Sequence, residues 1–441
     1  MPYTTIAWGV PFVGLLLTIA MAPLAVPRLW GRHYGKLAGF WALAYVACDL
    51  LHEDGSATAR RLIDMALNTY LPFVLLLGAL FVITGGLRIR GTPHGTPGVN
   101  TTLLAISTAA SSCIGAPGTS MLMLRPLLRA NRHRARTAHI YVFYIFLVCN
   151  IGGTLTPLGN PPLFLGYLRG VPFFWPVVHL VLPTGVVAGS LLALFYAIDR
   201  HIYRRHVKSG ETLREIEKLG LAGGVNLLLL LGAALTMMLR SIWSFPGAVD
   251  VFGIRWSADD ILADALFLIL GALSLLLTHR ATRQENEFVW TPITEVSILF
   301  ASIFVTLIPV DAIMAAGPSG PGYALFNAVF LDGAPVLPLF YLLPGALSSV
   351  LDNAPAYLVF FGLAGGDAKL LTDPLGPVLA AISAGASYFG AMTYIGNAPN
   401  LMVKSIVENA GVRMPSFFAY MAWSGVCLLP LLLAAMVLFF R

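Results

Sequence analysis

Apolar runs of about twenty residues recur along the chain, separated by short polar or basic loops. An α-helix of that length crosses the hydrocarbon core of a bilayer, which is about 30 Å thick. The runs predict membrane-spanning helices at residues 6–26, 37–51, 69–87, 173–198, 224–243, 260–278, 291–309 and 417–440. A polar stretch, residues 52–64, separates the second of these from the third.

Two longer apolar runs, residues 140–168 and 375–407, contain residues that disfavour a continuous helix. The second run contains Gly390, Gly396 and Pro399. Proline removes a backbone donor, and glycine lowers the cost of leaving helical dihedral angles. Unwound backbone at membrane depth is tolerated only where it is buried in protein or lines an aqueous cavity. Both runs are therefore predicted to be broken transmembrane helices.

Two further segments, residues 99–128 and 336–364, are too interrupted for a clean span. Each is predicted to be a re-entrant hairpin that reaches the membrane midplane and returns to the same side. Small and polar residues mark the first tip, from Ser111 to Ser120, and the sequence SSVLDNAP marks the second, from Ser348 to Pro355.

The same pattern occurs twice, at a constant separation of 237 residues. Ser111 and Ser112 of the first hairpin match Ser348 and Ser349 of the second. The matched positions in the broken helices are Gly153, Thr156, Gly159, Asn160 and Pro162 with Gly390, Thr393, Gly396, Asn397 and Pro399. Because both matches share one separation, the chain is predicted to contain two structural repeats.

Composition and charge agree with a membrane protein. The 441 residues are 57% hydrophobic and only 11% charged, whereas soluble domains carry about a quarter charged residues. The net charge of +6 does not indicate nucleic-acid binding, because the basic residues lie in short loops between apolar runs. With the N-terminus outside, most of these loops face the cytoplasm, as the positive-inside rule expects. The two hairpins then enter from opposite sides, which makes the repeats inverted.

The predicted fold is an all-α polytopic membrane protein with about ten spans plus two re-entrant hairpins. Residues 1–68 form N-terminal scaffold spans, and residues 69–198 form the first repeat, with hairpin 99–128 and broken helix 140–168. Residues 199–220, which are strongly charged, form a cytoplasmic linker. Residues 221–441 form the second, inverted repeat, with hairpin 336–364 and broken helix 375–407.

Asp352 is the sharpest candidate for chemistry. A carboxyl group near the middle of a membrane costs at least about 2.5–3.5 kcal/mol, so it is rare without a function. Together with Asn353 and Asn397 it offers hard oxygen ligands for Na⁺, and it could exchange that ion for a proton. The alternative is structural: an aspartate at a hairpin tip caps the following helix and suits its dipole.

Neutral oxygens surround both breaks. The predicted second pocket contains Asp352, Asn353, Ser348, Ser349, Thr393, Gly396 and Asn397, and the first contains Ser111, Ser112, Thr119, Thr156, Gly159 and Asn160. Each hairpin tip is expected to face the break of its own half. The first pocket lacks an acid, so titration is expected in the second. The alternative is that these side chains only satisfy backbone groups freed by the breaks.

The sequence gives little support to an enzyme. Gly317 to Gly320 match the Gly-x-Ser-Gly of rhomboid-type proteases, but that chemistry needs a histidine base, and no histidine follows His279. ATP-binding, dinucleotide-binding and zinc-protease motifs are absent. No cofactor is expected apart from Na⁺ as a transported or coupling ion.

The motifs resemble those of the ion transporter superfamily. That superfamily includes NhaD-type sodium/proton antiporters, arsenite-efflux permeases, citrate carriers and divalent-anion/sodium symporters. The resemblance covers most of the chain after residue 69, and its clearest stretches are NIGGTLTPLGNPPLFLGYLRGVPFFW (150–175), LSSVLDNAPAYLVFF (347–361) and YIGNAPNLMVKSI (394–406).

The resemblance implies a homodimer in which hairpins and broken helices move against a scaffold, as in an elevator. Dicarboxylate carriers of the superfamily show Ser-Asn-Thr at both hairpin tips. Here no threonine follows Asn353, and the first tip has no asparagine. The tip therefore looks more like those of the antiporter and arsenite branches.

The leading hypothesis is a secondary transporter of the inner (plasma) membrane that exchanges Na⁺ for protons at Asp352. The alternative is Na⁺- or H⁺-coupled symport of an organic anion such as citrate, or an anion-efflux permease. The expected partners are the lipid bilayer and a small cation or organic anion, not nucleic acid.

Overall fold

The fold is all-α and polytopic, as the sequence predicts. The computed structural model describes residues 3–91, 93–206, 220–240, 242 and 245–441, without the side chains of Leu24 and His206. Within these residues, six helices are long and apolar enough to cross a membrane: Ile6–Pro23, Gly55–Gly85, Trp175–Arg205, Ala258–Leu277, Thr291–Ala315 and Phe417–Phe439.

The described helices of the first half are α1 (Val10–Ala25), α2 (Pro27–His52), α3 (Gly55–Met65), α4 (Leu71–Gly85), α5 (Pro97–Ile114), α6 (Ala116–Asn131), α7 (Ala138–Tyr144), α8 (Pro161–Leu168) and α9 (Trp175–His206). A π segment, Ala66–Tyr70, joins α3 to α4. The polar stretch before the third span is therefore largely helical. Most of the predicted linker, residues 207–219, lies outside the described residues, and its first part continues α9.

The described helices of the second half are α10 (Val225–Arg240), α11 (Ala258–Leu277), α12 (Arg280–Glu285), α13 (Thr291–Ala315), α14 (Tyr323–Val329), α15 (Leu337–Val350), α16 (Asn353–Leu363), α17 (Ala368–Thr372), α18 (Gly376–Tyr388), α19 (Ala398–Asn409), α20 (Phe417–Trp423) and α21 (Leu429–Phe439). A π segment, Ser424–Leu428, joins the last two.

In the part of the chain that the structure describes, three short antiparallel strand pairs lie in loops. They are β1 (Arg88–Arg90) with β2 (Gly220–Ala222), β3 (Ala248–Val251) with β4 (Ile254–Ser257), and β5 (Phe330–Leu331) with β6 (Ala334–Pro335). In the first pair Arg88 lies opposite Ala222, so the end of α4 is tied to the start of the second half.

The hairpins are α5–α6 and α15–α16. Gly115 links the first pair with a φ of 76°, a left-handed conformation that favours glycine. Leu351 and Asp352 link the second pair. Helix α16 has 11 residues and is therefore about 16 Å long. It cannot cross a hydrocarbon core of about 30 Å, so the second hairpin ends at membrane depth.

Both broken helices are interrupted in the same way. The first runs through α7, a π segment (Ile145–Asn150) and a 3₁₀ segment (Ile151–Thr154), and resumes at α8. The second runs through α18 and a 3₁₀ segment (Phe389–Met392), and resumes at α19. Asn160 and Asn397 precede the resumed helices in the same extended conformation, with φ of −146° and −157°.

The matched glycines allow close backbone approach within each break. A Cβ atom on Gly396 would lie 2.6 Å from the carbonyl oxygens of Gly390 and Ser348. A Cβ atom on Gly159 would overlap the carbonyl of Gly153 in the same manner. The repeated glycines are therefore explained by the shape of the breaks.

The scaffold helices pack reciprocally between the halves. Helices α1 and α2 of the first half pack on α13 of the second, and α10 and α11 of the second pack on α4 of the first. Ser274 Oγ of α11 donates to the carbonyl of Val82, and Gly271 lies on Ala79, so α4 and α11 run in the same direction. This exchange is typical of repeats related by a pseudo-two-fold axis.

The continuous helix Gly55–Gly85, which ends as α4, corresponds to α13 at the 237-residue separation, and the two helices run in opposite directions. The Phe73 ring of α4 stacks on Phe300 of α13, with centroids 4.5 Å apart. Further along α4, Gly85 lies against Phe288, which precedes α13. As residue numbers rise along α4, the numbers of the residues that it contacts fall, so the two segments are antiparallel. Inverted repeats require this arrangement.

A buried charged cluster fixes the end of the first hairpin to α9. Asp199 is fully buried and pairs with Arg134. It also lies 2.8 Å from His139 Nε2 and accepts a hydrogen bond from Asn100 Nδ2 at 3.0 Å. Asn100 in turn bonds to Asn131. Segments on both sides of the first hairpin thus converge on one carboxylate.

Replacing Asp199 by alanine should destabilise the protein by about 3–5 kcal/mol, because it leaves the buried Arg134 guanidinium without its counterion. Thermal unfolding in detergent would measure the loss. Glu408→Ala is the matched control, since the exposed Glu408–Lys404 pair is worth about 0.3–0.5 kcal/mol. Equal melting temperatures for the two variants would contradict this role.

Candidate functional site

The first hairpin is hydrogen-bonded to the first break. Ser111 Oγ donates to the carbonyl of Val148 at 2.7 Å. Ser112 Oγ donates to the carbonyl of Gly152, and Thr156 Oγ1 donates to the carbonyl of Ser112. These side chains satisfy backbone carbonyls that the interrupted helix leaves free.

The second hairpin makes the equivalent contacts with the second break. Ser348 Oγ donates to the carbonyl of Ala386 at 2.6 Å, and Ser349 Oγ donates to that of Phe389 at 3.2 Å. Thr393 Oγ1 donates to the carbonyl of Ser349 at 2.6 Å. The matched serines and threonines therefore have matched partners.

One detail departs from the constant separation. The acceptors Val148 and Ala386 are 238 residues apart, whereas Gly153 and Gly390 are 237 apart. A π turn holds one more residue than an α turn. The π segment Ile145–Asn150 lies in this interval and accommodates the extra residue.

The structure adds contacts between the halves that the sequence argument did not predict. Asn353 Nδ2 of the second hairpin lies 3.3 Å from Asn160 Oδ1 of the first break. Asn397 Nδ2 of the second break donates to the carbonyl of Cys149 at 2.8 Å. Helix α16 packs on α8, and α6 packs on α19. The two predicted pockets therefore meet in one central region.

Sequence reasoning missed two residues of this region, Asn150 and Asn400. Asn150 Nδ2 donates to Asn400 Oδ1 at 2.9 Å, and Asn150 Oδ1 accepts from Asn397 Nδ2 at 3.2 Å. Asn400 Nδ2 also donates to the carbonyl of Gly390 at 2.8 Å. The repeat could not identify Asn400, because its counterpart is Leu163. A buried amide within an apolar run was the only available signal.

Asp352 caps α16, as the structural alternative holds: its Oδ1 accepts from the backbone N–H of Ala354 at 3.1 Å. The carboxylate also faces the backbone N–H of Ala398, the first residue of α19. The side chain is only partly buried. The ion pairs found among the described residues do not include Asp352. It therefore keeps capacity for a proton or a cation.

Two buried oxygens in the predicted pockets have no hydrogen-bond partner among the described residues. They are Oδ1 of Asn353 and Oγ1 of Thr119. Asn353 directly follows Asp352 in the sequence, so the second hairpin tip carries both a carboxylate and an amide oxygen without a partner. This donor set fits a hard monovalent cation such as Na⁺.

Four helices begin in the central region. Ala116 N of α6 donates to the carbonyl of Gly159, just before α8, and Asn353 of α16 bonds to Asn160. Asp352, the cap of α16, reaches the start of α19. Each helix start carries a partial positive charge of about half a unit. Their convergence forms an environment that suits an anion.

Comparison with known proteins agrees with this architecture. A family model described as "Putative citrate transport" matches residues 2–440. An uncharacterized transporter of Mycobacterium bovis and one of Mycobacterium tuberculosis are each 24% identical over 374 residues, covering 79% of this chain and 80% of the relative. The chain is a multi-pass membrane transporter, and it belongs to the family described as "Putative citrate transport".

Proposed function

We propose that the protein transports a small organic anion of the citrate class together with a cation. The observation that carries this proposal is the convergence of four helix starts and several asparagine amides at the centre of the molecule. Helix starts bind carboxylates through their positive ends. The family description adds citrate as the first substrate to test.

The proposal assigns coupling to Asp352. A carboxylate substrate near an ionised Asp352 would be repelled, because both groups are negative. A proton or Na⁺ held by Asp352 and Asn353 Oδ1 removes that repulsion. Cation and anion then raise each other's affinity by the same factor, as linkage requires. Residues in the hairpins and breaks would carry both ligands in an elevator-like motion against the scaffold.

Na⁺/H⁺ antiport, which the sequence favours, is the second candidate function. The Asp352 carboxyl, which has no ion-pair partner among the described residues, and the unpartnered Asn353 Oδ1 on the same hairpin tip support it. Antiport needs only one group that binds Na⁺ or a proton, but not both, and faces each side in turn. The homodimer and the inner-membrane location also remain proposals.

Purified protein in liposomes should take up labelled citrate when an inward Na⁺ or proton gradient is imposed. Protein-free liposomes and excess unlabelled citrate are the controls. In a parallel assay, Na⁺, Li⁺ or K⁺ is added to everted vesicles that hold a pH gradient. Collapse of that gradient without any citrate uptake would contradict anion symport and favour antiport.

A further inference from the structure

Asp264 is a buried carboxyl group outside the central site. It is the seventh residue of α11, about 9 Å along the helix from its start. Asp264 is buried, with only 4% of the residue's surface exposed. Neither carboxyl oxygen has a hydrogen-bond partner among the described residues. A buried, unpaired carboxyl group in a membrane helix is a candidate site for binding a proton or a cation.

The surroundings of Asp264 leave it without a counterion. Arg240 of α10 and Asp260 of α11 are the charged groups that act on it. The Arg240 guanidinium is already bound to Asp260, one turn away. Helix α4, on the other side, contains no titratable residue, and Arg255 of β4 is exposed. Burial of the ionised carboxylate costs far more here than burial of the neutral acid.

Arg240 connects this position to the moving part of the protein. Its guanidinium lies over the ring of Tyr167, with the central carbon 5.6 Å from the centroid. The Tyr167 hydroxyl donates to the carbonyl of Met237 at 2.8 Å. Tyr167 belongs to α8, the helix that resumes after the first break. Arg240 thus contacts both Asp260, one turn before Asp264, and α8, the helix that follows the first break.

We propose that Asp264 is a second proton-binding site, and that the gain or loss of its proton determines whether Arg240 pairs with Asp260 alone or is shared with Asp264. Its part in transport rests on the proposed function. A membrane potential that is negative inside opposes the entry of each negative charge. Entry of a di- or tricarboxylate is therefore favoured by protons, and Asp264 would act on transport through Arg240 and Tyr167 of α8.

Infrared difference spectroscopy in detergent tests proton binding without any substrate. Wild-type protein should show a protonated-carboxyl band that is lost at alkaline pH, and Asp264→Asn should lack this band. Asp264→Glu should restore it at a shifted frequency. Asp259→Asn is the control, because that nearby carboxyl accepts a hydrogen bond from the backbone of Phe245. An identical spectrum for wild type and Asp264→Asn overturns the proposal.

Liposome assays test the coupling separately. In Asp264→Asn, stimulation of citrate uptake by a pH gradient should fall below that of the wild type, the part that depends on Asp352 should persist, and exchange of internal for external citrate should continue. Full stimulation in this variant overturns the coupling role. If wild-type protein moves no citrate at all, the proposed function fails, and the infrared result still decides whether Asp264 binds a proton.

Discussion

Replacing Gly396 by alanine is expected to reduce transport to background. The added Cβ would lie 2.6 Å from two backbone carbonyl oxygens, those of Gly390 and Ser348. Neither oxygen can rotate away, so the break must separate from the hairpin tip that binds it. Overpacking of this kind costs about 1–3 kcal/mol, and here it also displaces the residues that face the ligand. Labelled citrate uptake and thermal unfolding would measure the two effects.

Gly189→Ala is the matched control. Gly189 lies in α9, and a Cβ at this position would meet no atom within 4 Å. Alanine is the better helix former by about 0.5–1 kcal/mol, so transport should be unchanged and stability equal or higher. Wild-type uptake by Gly396→Ala would show that the tight backbone contact in the second break is not needed for function.

Replacing Asp352 by asparagine is expected to uncouple transport from the cation while leaving the protein folded. Asparagine is as good a helix cap as aspartate, so the cap on α16 should survive. The neutral amide neither titrates nor repels a carboxylate. In wild type, citrate affinity should rise about 5–150-fold with saturating Na⁺ or proton, the range of typical coupling free energies. In Asp352→Asn the dependence on Na⁺ should disappear, and the dependence on pH should weaken. Equilibrium binding at several Na⁺ concentrations and pH values would measure it.

Two further variants separate charge from capping at this position. Asp352→Ala removes both the charge and the cap. Its free energy of unfolding should be about 1 kcal/mol lower than that of Asp352→Asn. Asp332→Asn makes the same chemical change at an exposed loop residue and should preserve coupling. Normal cation dependence in Asp352→Asn would refute the role assigned to this carboxyl.

The sequence was most informative where backbone geometry restricts residue type. Gly153, Gly159, Gly390 and Gly396 occur at a constant separation because each break needs close backbone approach, and the structure accounts for all four. Apolar length and the positions of basic residues sufficed for the all-α polytopic fold. These features depend on residue type at each position, which can be read from a single sequence.

Contacts between the halves could not be predicted in the same way. The Asn150–Asn400 and Asn160–Asn353 bonds join residues that the repeat does not relate to each other. Which face of a helix is turned inward is set by packing, so the apolar run that contains Asp264 did not distinguish a buried acid from an exposed one. Such information is present only in the folded arrangement.

The π segment Ile145–Asn150 has a consequence for mutagenesis. One surplus residue advances everything after it by about 100° around the helix axis. It follows that Asn150 owes its direction to the number of residues before it. Deleting one residue of the segment before Asn150 would turn this amide away from Asn400 even though both asparagines were retained. A library of single substitutions cannot sample that change, because the property resides in spacing and not in any one amino acid.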